Sequence, residues 1–244
     1  YESVLASKIV DVAMYEQLDV LHVHYAIPHA SVAYTAQQIL KSKKIHLPYV
    51  TTLHGTDITL VGRDPAFEPV IRFSLNNSNA ITSVSESLKK DTLKNFKIDN
   101  KISVIPNFIN IKDYQAPRDL CLKKKYAQNG EKVMVHISNF RKVKRVEDVI
   151  QVFEQVKKQI PTKLILVGDG PEKQSIERLS KQLNLHHDVI PLGKVADPKE
   201  ILGLADLFIL PSETESFGLS ALEAMAMKVP VISTNSGGLP EVNL

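Results

Sequence analysis

Short apolar runs alternate with longer amphipathic stretches along the whole of this 244-residue chain. The runs at 20–24, 49–53, 80–84, 103–105, 133–138, 163–167, 189–192, 207–210 and 231–233 are β-branched or leucine-rich, with little polar alternation. Such runs are expected of parallel strands buried on both faces. Between them, 30–41, 87–96, 146–159, 172–183 and 219–227 carry apolar residues at helical spacing. This alternation predicts right-handed βαβ units and doubly wound α/β sheets. Pro106, Asn107, Asn110 and Pro117 break the pattern across 107–119, and a fresh strand–helix series opens near Lys132. Two Rossmann-like parallel-sheet domains are therefore expected, over 1–112 and 113–244. Both ends look cut. Val4, Leu5, Ile9, Val12 and Ala13 form a helical face at the start with no N-cap before it, and the chain stops just after Gly237-Gly238-Leu239-Pro240-Glu241-Val242, where a helix is due.

Composition narrows the class. A hydrophobic share of 43% with 23% charged residues excludes disorder as the main state. Thirty basic residues against 27 acidic ones leave a net charge of +3, without the strongly basic face of a nucleic-acid binder. Cys121, alone of its type, excludes a disulfide framework and a Cys-x-x-Cys metal knuckle, and fits a reducing compartment. No apolar run reaches the roughly 18–20 residues of a bilayer span, and no signal-peptide pattern opens the chain. A soluble, cytoplasmic protein is expected, with no nucleic-acid partner and no stable membrane insertion; a homo-oligomer is compatible with it.

Open α/β sheets bind ligands beyond the carboxyl ends of their strands, so the residues that follow each run carry the chemistry. None of GxGxxG, GxxxxGK[ST], GxSxG or HExxH occurs. Three constellations stand out. Glu215-Ser216-Phe217-Gly218-Leu219, with Glu223 eight positions after Glu215, is expected to open a helix near Phe217. The amides of Phe217, Gly218 and Leu219 would then form an anion site at its N-terminus. Eight helical residues span about 12 Å, beyond the roughly 5–9.5 Å between the two carboxylates of a glycoside hydrolase. Two distant sugars of one ligand, joined by a diphosphate, suit that spacing better. Arg141, Lys142, Lys144 and Arg145 form the second constellation, four cations in five residues directly after a strand, fit for phosphate. The third is His54-Gly55-Thr56-Asp57 after 49–53. Each has a plainer reading as loop charge, solvated helix start or structural histidine. His22 and His24 are expected to face opposite sides of their strand, which would keep them from sharing one metal.

Together these segments, with Val167-Gly168-Asp169-Gly170-Pro171 and the closing Gly-Gly-Leu-Pro-Glu, resemble the retaining glycosyltransferases of family 4 along essentially the whole chain. The resemblance implies the GT-B fold, two Rossmann-like domains facing a cleft, and transfer of a hexose from a nucleotide sugar with retention. It implies that Glu223 holds the ribose hydroxyls, Glu215 the hexose, and the amides of Ser216, Phe217, Gly218 and Leu219 the phosphate and sugar oxygens. Arg141 and Lys144 would stabilise the leaving diphosphate, Gly168, Gly193 and Lys194 would lie near the base, and His54 would act at the hexose. The family pattern has an arginine five residues before the lysine; Asn139 stands there instead, and Arg141 comes two positions later. The stretches HVHYAIPHA, TTLHGTDIT and ISNFRKVKRV are closest to members that use UDP-N-acetylglucosamine and L-malate. A small anionic acceptor would need cations and polar groups such as Tyr25, Arg72 and Thr56. No metal and no cofactor beyond the UDP-sugar co-substrate are expected. A lipid or polysaccharide acceptor, an epimerase, and a nucleotide-sugar-binding module without turnover are the alternatives.

Overall fold

The computed structural model describes residues 1–60, 64–114 and 120–243; Pro117 and Asp119, part of the expected break, lie outside them. Contacts divide the chain into two compact units, Tyr1–Asn107 and Phe108–Leu244. The boundary lies five residues before the expected one because the turn at Ile111–Tyr114 packs with the second unit, where Tyr114 covers part of the apolar core.

The first unit holds α1 (Glu2–Glu16), β1 (Leu21–His24), α2 (Ser31–Ser42), β2 (Tyr49–Leu53), α3 (Glu68–Asn76), β3 (Ala80–Ser83), α4 (Glu86–Asn95) and β4 (Ile102–Val104). Its four strands are parallel in the order β1-β2-β3-β4. Leu21 is in register with Tyr49, Val50 with Ala80 and Ile81 with Ile102. Tyr49 is fully buried at the centre of the sheet. Its hydroxyl donates to the carbonyl of Ser74 at 3.1 Å, and burial pushes the phenol up to about 12.

The second unit holds α5 (Leu120–Tyr126), β5 (Lys132–Ile137), α6 (Val146–Lys157), β6 (Thr162–Val167), α7 (Lys173–Gln182), β7 (Val189–Gly193), α8 (Lys199–Leu204), β8 (Leu207–Leu210), α9 (Leu219–Ala226), β9 (Val231–Ser233) and α10 (Leu239–Val242). Its five strands are parallel in the order β7-β6-β5-β8-β9. Alternate residues of each strand serve different cores, as the two-residue period requires. Val133, Val135, Ile165, Val167, Phe208 and Leu210 pack with Ile201 and Leu202 of α8 and Ala221 and Ala224 of α9. Met134, Leu164, Leu166 and Ile209 pack with Val149, Ile150 and Phe153 of α6 and Ile176 of α7. Both faces are thus covered, which accounts for the near-continuous apolar runs. Among the described residues, no helix is long and apolar enough to cross a membrane.

A histidine is among the polar side chains buried in this interior. His136 in β5 is fully buried, with Nδ1 2.9 Å from the carbonyl of Ile209 and Nε2 2.8 Å from Ser138 Oγ. Burial, reinforced by the nearby Lys144 charge, lowers its pKa to about 4. The folded state therefore holds a neutral imidazole that the unfolded chain protonates near pH 6.5. Stability is full above that pH and is lost as pH falls from about 6.5 through 4, by up to about 3 kcal/mol. Urea denaturation of the second unit's transition at pH 7, 5.5 and 4 should show that loss, and His136→Gln should flatten it.

Candidate active site

The second sheet reverses its strand order between β5 and β8, and the crevice at the carboxyl ends of two such strands is where open α/β sheets bind ligands. Two of the three constellations fall there. A short 3-10 turn, Lys142–Lys144, follows β5, and the loop bearing Glu215 follows β8. The loops meet. Lys144 Nζ donates to Glu215 Oε1 at 2.5 Å, Ser212 Oγ donates to the same oxygen at 2.9 Å, and the Glu213 N–H reaches the Val143 carbonyl at 2.8 Å. The pair is shielded, its side chains 18% and 14% exposed, so it is screened less than a surface pair. Arg141 is exposed outside that pair.

Helix α9 begins at Leu219, two residues later than expected, with Gly218 as its left-handed cap at φ 95° and no side chain capping it. Glu215 therefore lies in the loop and Glu223 one turn into the helix, so the eight-residue helical span does not exist. No side chain caps the amides of the first turn, the arrangement that receives anions. Phe217 anchors the loop in the interior, whereas Leu219 is exposed. The closing Gly237-Gly238 turn lies directly on the loop: the Gly238 N–H donates to the Glu215 carbonyl at 2.7 Å. Gly237 has φ 60°, and a Cβ there would sit 2.1 Å from that carbonyl oxygen, so a side chain is excluded both sterically and by the backbone.

The remaining donor-side candidates gather at the ends of β6 and β7. The pairing of these strands shifts register between Leu166 and Val167, a bulge that brings Gly193 opposite Val167. The Gly168 N–H donates to the Gly193 carbonyl at 2.8 Å. At φ 132° a Cβ on Gly168 would lie 1.8 Å from the Ser138 carbonyl oxygen, so glycine lets the loops after β5 and β6 touch. Lys194 follows, exposed.

Glu223 has a partner that sequence reasoning missed. The Tyr114 hydroxyl donates to Glu223 Oε1 at 3.2 Å, and Lys199 Nζ lies 5.6 Å from the Tyr114 ring centroid. Burial raises the Glu223 carboxyl above its usual range, against the opposing hydrogen bond from Tyr114. Burial likewise pushes the phenol up to about 12, helped by the Glu223 charge. Tyr114 lies in the interrupted stretch, where no periodicity marks it.

In the first unit, histidines gather at the ends of β1 and β2. His24 Nδ1 is 2.7 Å from His54 Nε2, and the Tyr25 ring centroid is 5.1 Å from that of His54. His22 and His24 share one face of β1, their rings 4.5 Å apart; residues two apart on a strand point the same way, so the expected opposition is wrong. Burial first, then the charges of neighbouring histidines, lowers the pKa of both: His22 and His29 act on His24, and His24 and His22 on His54. Among the described residues, no group of three or more His, Cys, Asp or Glu side chains is placed to hold a metal ion. Asp57, part of the third constellation but given no role there, is buried and accepts the Ala26 and Gly55 N–H groups at 2.6 and 3.1 Å, clipping the two strand-end turns together. Its carboxyl lies above the usual range because burial outweighs these bonds. Thr56 is exposed beside it. Arg72 lies on α3, exposed and paired with Glu68 at 3.4 Å.

Comparison with known proteins matches both units. The family described as Glycosyl transferases group 1 matches residues 119–244, and Glycosyltransferase Family 4 matches 4–113. The N-acetyl-alpha-D-glucosaminyl L-malate synthase of Bacillus anthracis is 49% identical over 99% of this chain and 63% of its own. The putative teichuronic acid biosynthesis glycosyltransferase TuaC of Bacillus subtilis is 28% identical over 91% of this chain and 54% of its own. The chain thus spans less than two thirds of the length of these relatives. Among solved structures, Anabaena Alr3699/HepE in complex with UDP and glucose superposes with a TM-score of 0.81, at 24% identity over 97% of this chain and 64% of that one. The likeness shows the GT-B fold expected from the sequence. With the group 1 match covering more than half of its residues, and the Family 4 match most of the rest, the chain belongs to the glycosyltransferases of this family.

Proposed function

We propose that the protein is a retaining glycosyltransferase that moves N-acetylglucosamine from UDP-N-acetylglucosamine to the hydroxyl of L-malate. The observation that carries this reading is the 49% identity, over 99% of the chain, to the Bacillus anthracis N-acetyl-alpha-D-glucosaminyl L-malate synthase. The Lys144–Glu215 pair at the strand reversal supports it, since it sets a cation and a carboxylate where a sugar diphosphate would need both.

In this reading the bond between the anomeric carbon and the diphosphate oxygen breaks as the malate oxygen attacks the same face, and the departing diphosphate takes the malate hydroxyl proton. Negative charge develops on the diphosphate. Lys144, Arg141 and the amides at the start of α9 stabilise it, a preorganised electrostatic role. Because Lys144 already supplies that charge, the scheme calls for no metal. Glu215 accepts from hexose hydroxyls, and its pairing with Lys144 keeps both side chains aimed before the donor arrives. Ser216, Phe217, Gly218 and Leu219 present the phosphate-side backbone. Glu223 takes the ribose hydroxyls, and Gly168, Gly193 and Lys194 border the base. In the first unit His54, braced by His24, acts at the hexose, while Tyr25, Thr56 and Arg72 serve the dianionic acceptor.

UDP release from UDP-N-acetylglucosamine, measured on the whole protein with and without L-malate, should be malate-dependent and should give an α-linked product by NMR. Release without malate would point to an epimerase or hydrolase. Saturable UDP binding without release would redirect the search to a lipid or polysaccharide acceptor. Lys144→Ala should lower kcat by roughly 10²- to 10³-fold, read by the same assay; an unchanged kcat would remove Lys144 from the chemistry. His54→Ala should reduce turnover at least about tenfold while leaving the UDP dissociation constant near that of wild type, which calorimetry checks directly.

A further inference from the structure

We propose that Tyr114 is a positioning residue for Glu223, holding its carboxylate ready for the ribose hydroxyls of the nucleoside diphosphate. The inference rests on the ribose-binding reading of Glu223 and extends it to a residue from a separate part of the chain. Tyr114 ends the short turn Ile111–Tyr114 and reaches Glu223 from 109 positions away. Its hydroxyl occupies one lone pair of Oε1, which leaves the second pair and the whole of Oε2 to accept from a diol. A carboxylate fixed at one oxygen cannot spin about its last torsion, so less order has to be imposed when the ligand arrives.

Other side chains hold the tyrosine itself. Its ring packs on the apolar core beneath α8 and α9. Lys199 stands over the ring face, where a cation is attracted by the aromatic quadrupole, and is in turn paired with Asp197 at 3.1 Å. The charged groups bearing on the pair are therefore Asp197 and Lys199 toward Glu223, and Asp197 and Asp113 toward Tyr114. With the phenol pushed up to about 12, the hydroxyl remains a donor throughout the neutral range. The hydrogen bond favours the charged carboxylate against its burial, so losing the hydroxyl would raise the carboxyl further and move the acid limb of nucleotide binding to higher pH.

Calorimetric titration with UDP of wild type, Tyr114→Phe, Glu223→Ala and the double variant tests this, because phenylalanine keeps the ring and its packing. Glu223→Ala should weaken UDP by at least about tenfold. Tyr114→Phe should weaken it roughly five- to tenfold, with kcat at saturating donor close to wild type, and should cost almost nothing more in the Glu223→Ala background. The acid limb of UDP binding in Tyr114→Phe should shift to higher pH. Wild-type affinity in Tyr114→Phe, with Glu223→Ala weakened, would overturn the positioning role alone. Equal losses in both backgrounds would also overturn it, since Tyr114 would then act independently of Glu223. Wild-type affinity in Glu223→Ala would overturn the ribose assignment underneath.

Discussion

Parallel strands joined by right-handed crossovers can reverse their order only by sending the next helices to the opposite face of the sheet. Everything at the candidate site of the second unit follows from that constraint. β5 is the first strand of its sheet and lies at the centre, so α6 and α7 fill one face while α8 and α9 fill the other. At the reversal, the loops after β5 and β8 border the crevice that such a switch point forms. The crevice is where Lys144 and Glu215 meet. Packing both faces with aliphatic side chains therefore creates a polar site without any residue being placed for that purpose alone.

In each unit the apolar layers make unpaired charge expensive, and the chain answers with short pairings. Lys144 with Glu215, Tyr114 with Glu223, and the His24–His54 contact each couple a donor to an acceptor within a few ångströms. Asp57 does the same with two backbone amides. Each of these bonds fixes the direction of the side chains it joins, so the pairings that offset burial within each unit also aim them. His136 is the exception. It satisfies itself entirely within the sheet and has no orientation toward a ligand; its neutral ring is a cost of folding that only acid reveals.

The strand pattern was legible because buried parallel strands leave an unmistakable run of aliphatic residues: 49–53, 207–210 and 231–233 coincide with β2, β8 and β9 to the residue. Short helices were harder to see. α8 has six residues, Lys199–Leu204, too few for a 3.6-residue period to declare itself. In the second unit, the pairing of Lys144 with Glu215 was not foreseen; each was read only as a charge beyond its own strand end, since 71 positions separate them and nothing local links their signals. Tyr114 escaped altogether, because its meaning depends on a tertiary contact across 109 positions. The two histidines of β1 show a different failure, a misapplied strand period rather than missing information.

The flat contact of Gly237 on the loop of Glu215 carries a consequence for how that loop behaves in time. A segment of this kind is commonly a lid, ordered only when a ligand closes it. Here the backbone of residues 215–216 is pinned from beneath by a turn whose own geometry admits no side chain, so its conformational freedom is surrendered during folding rather than during recognition. The shape of this loop is thus written by the fold of its own unit, through contacts that any side chain at Gly237 would break.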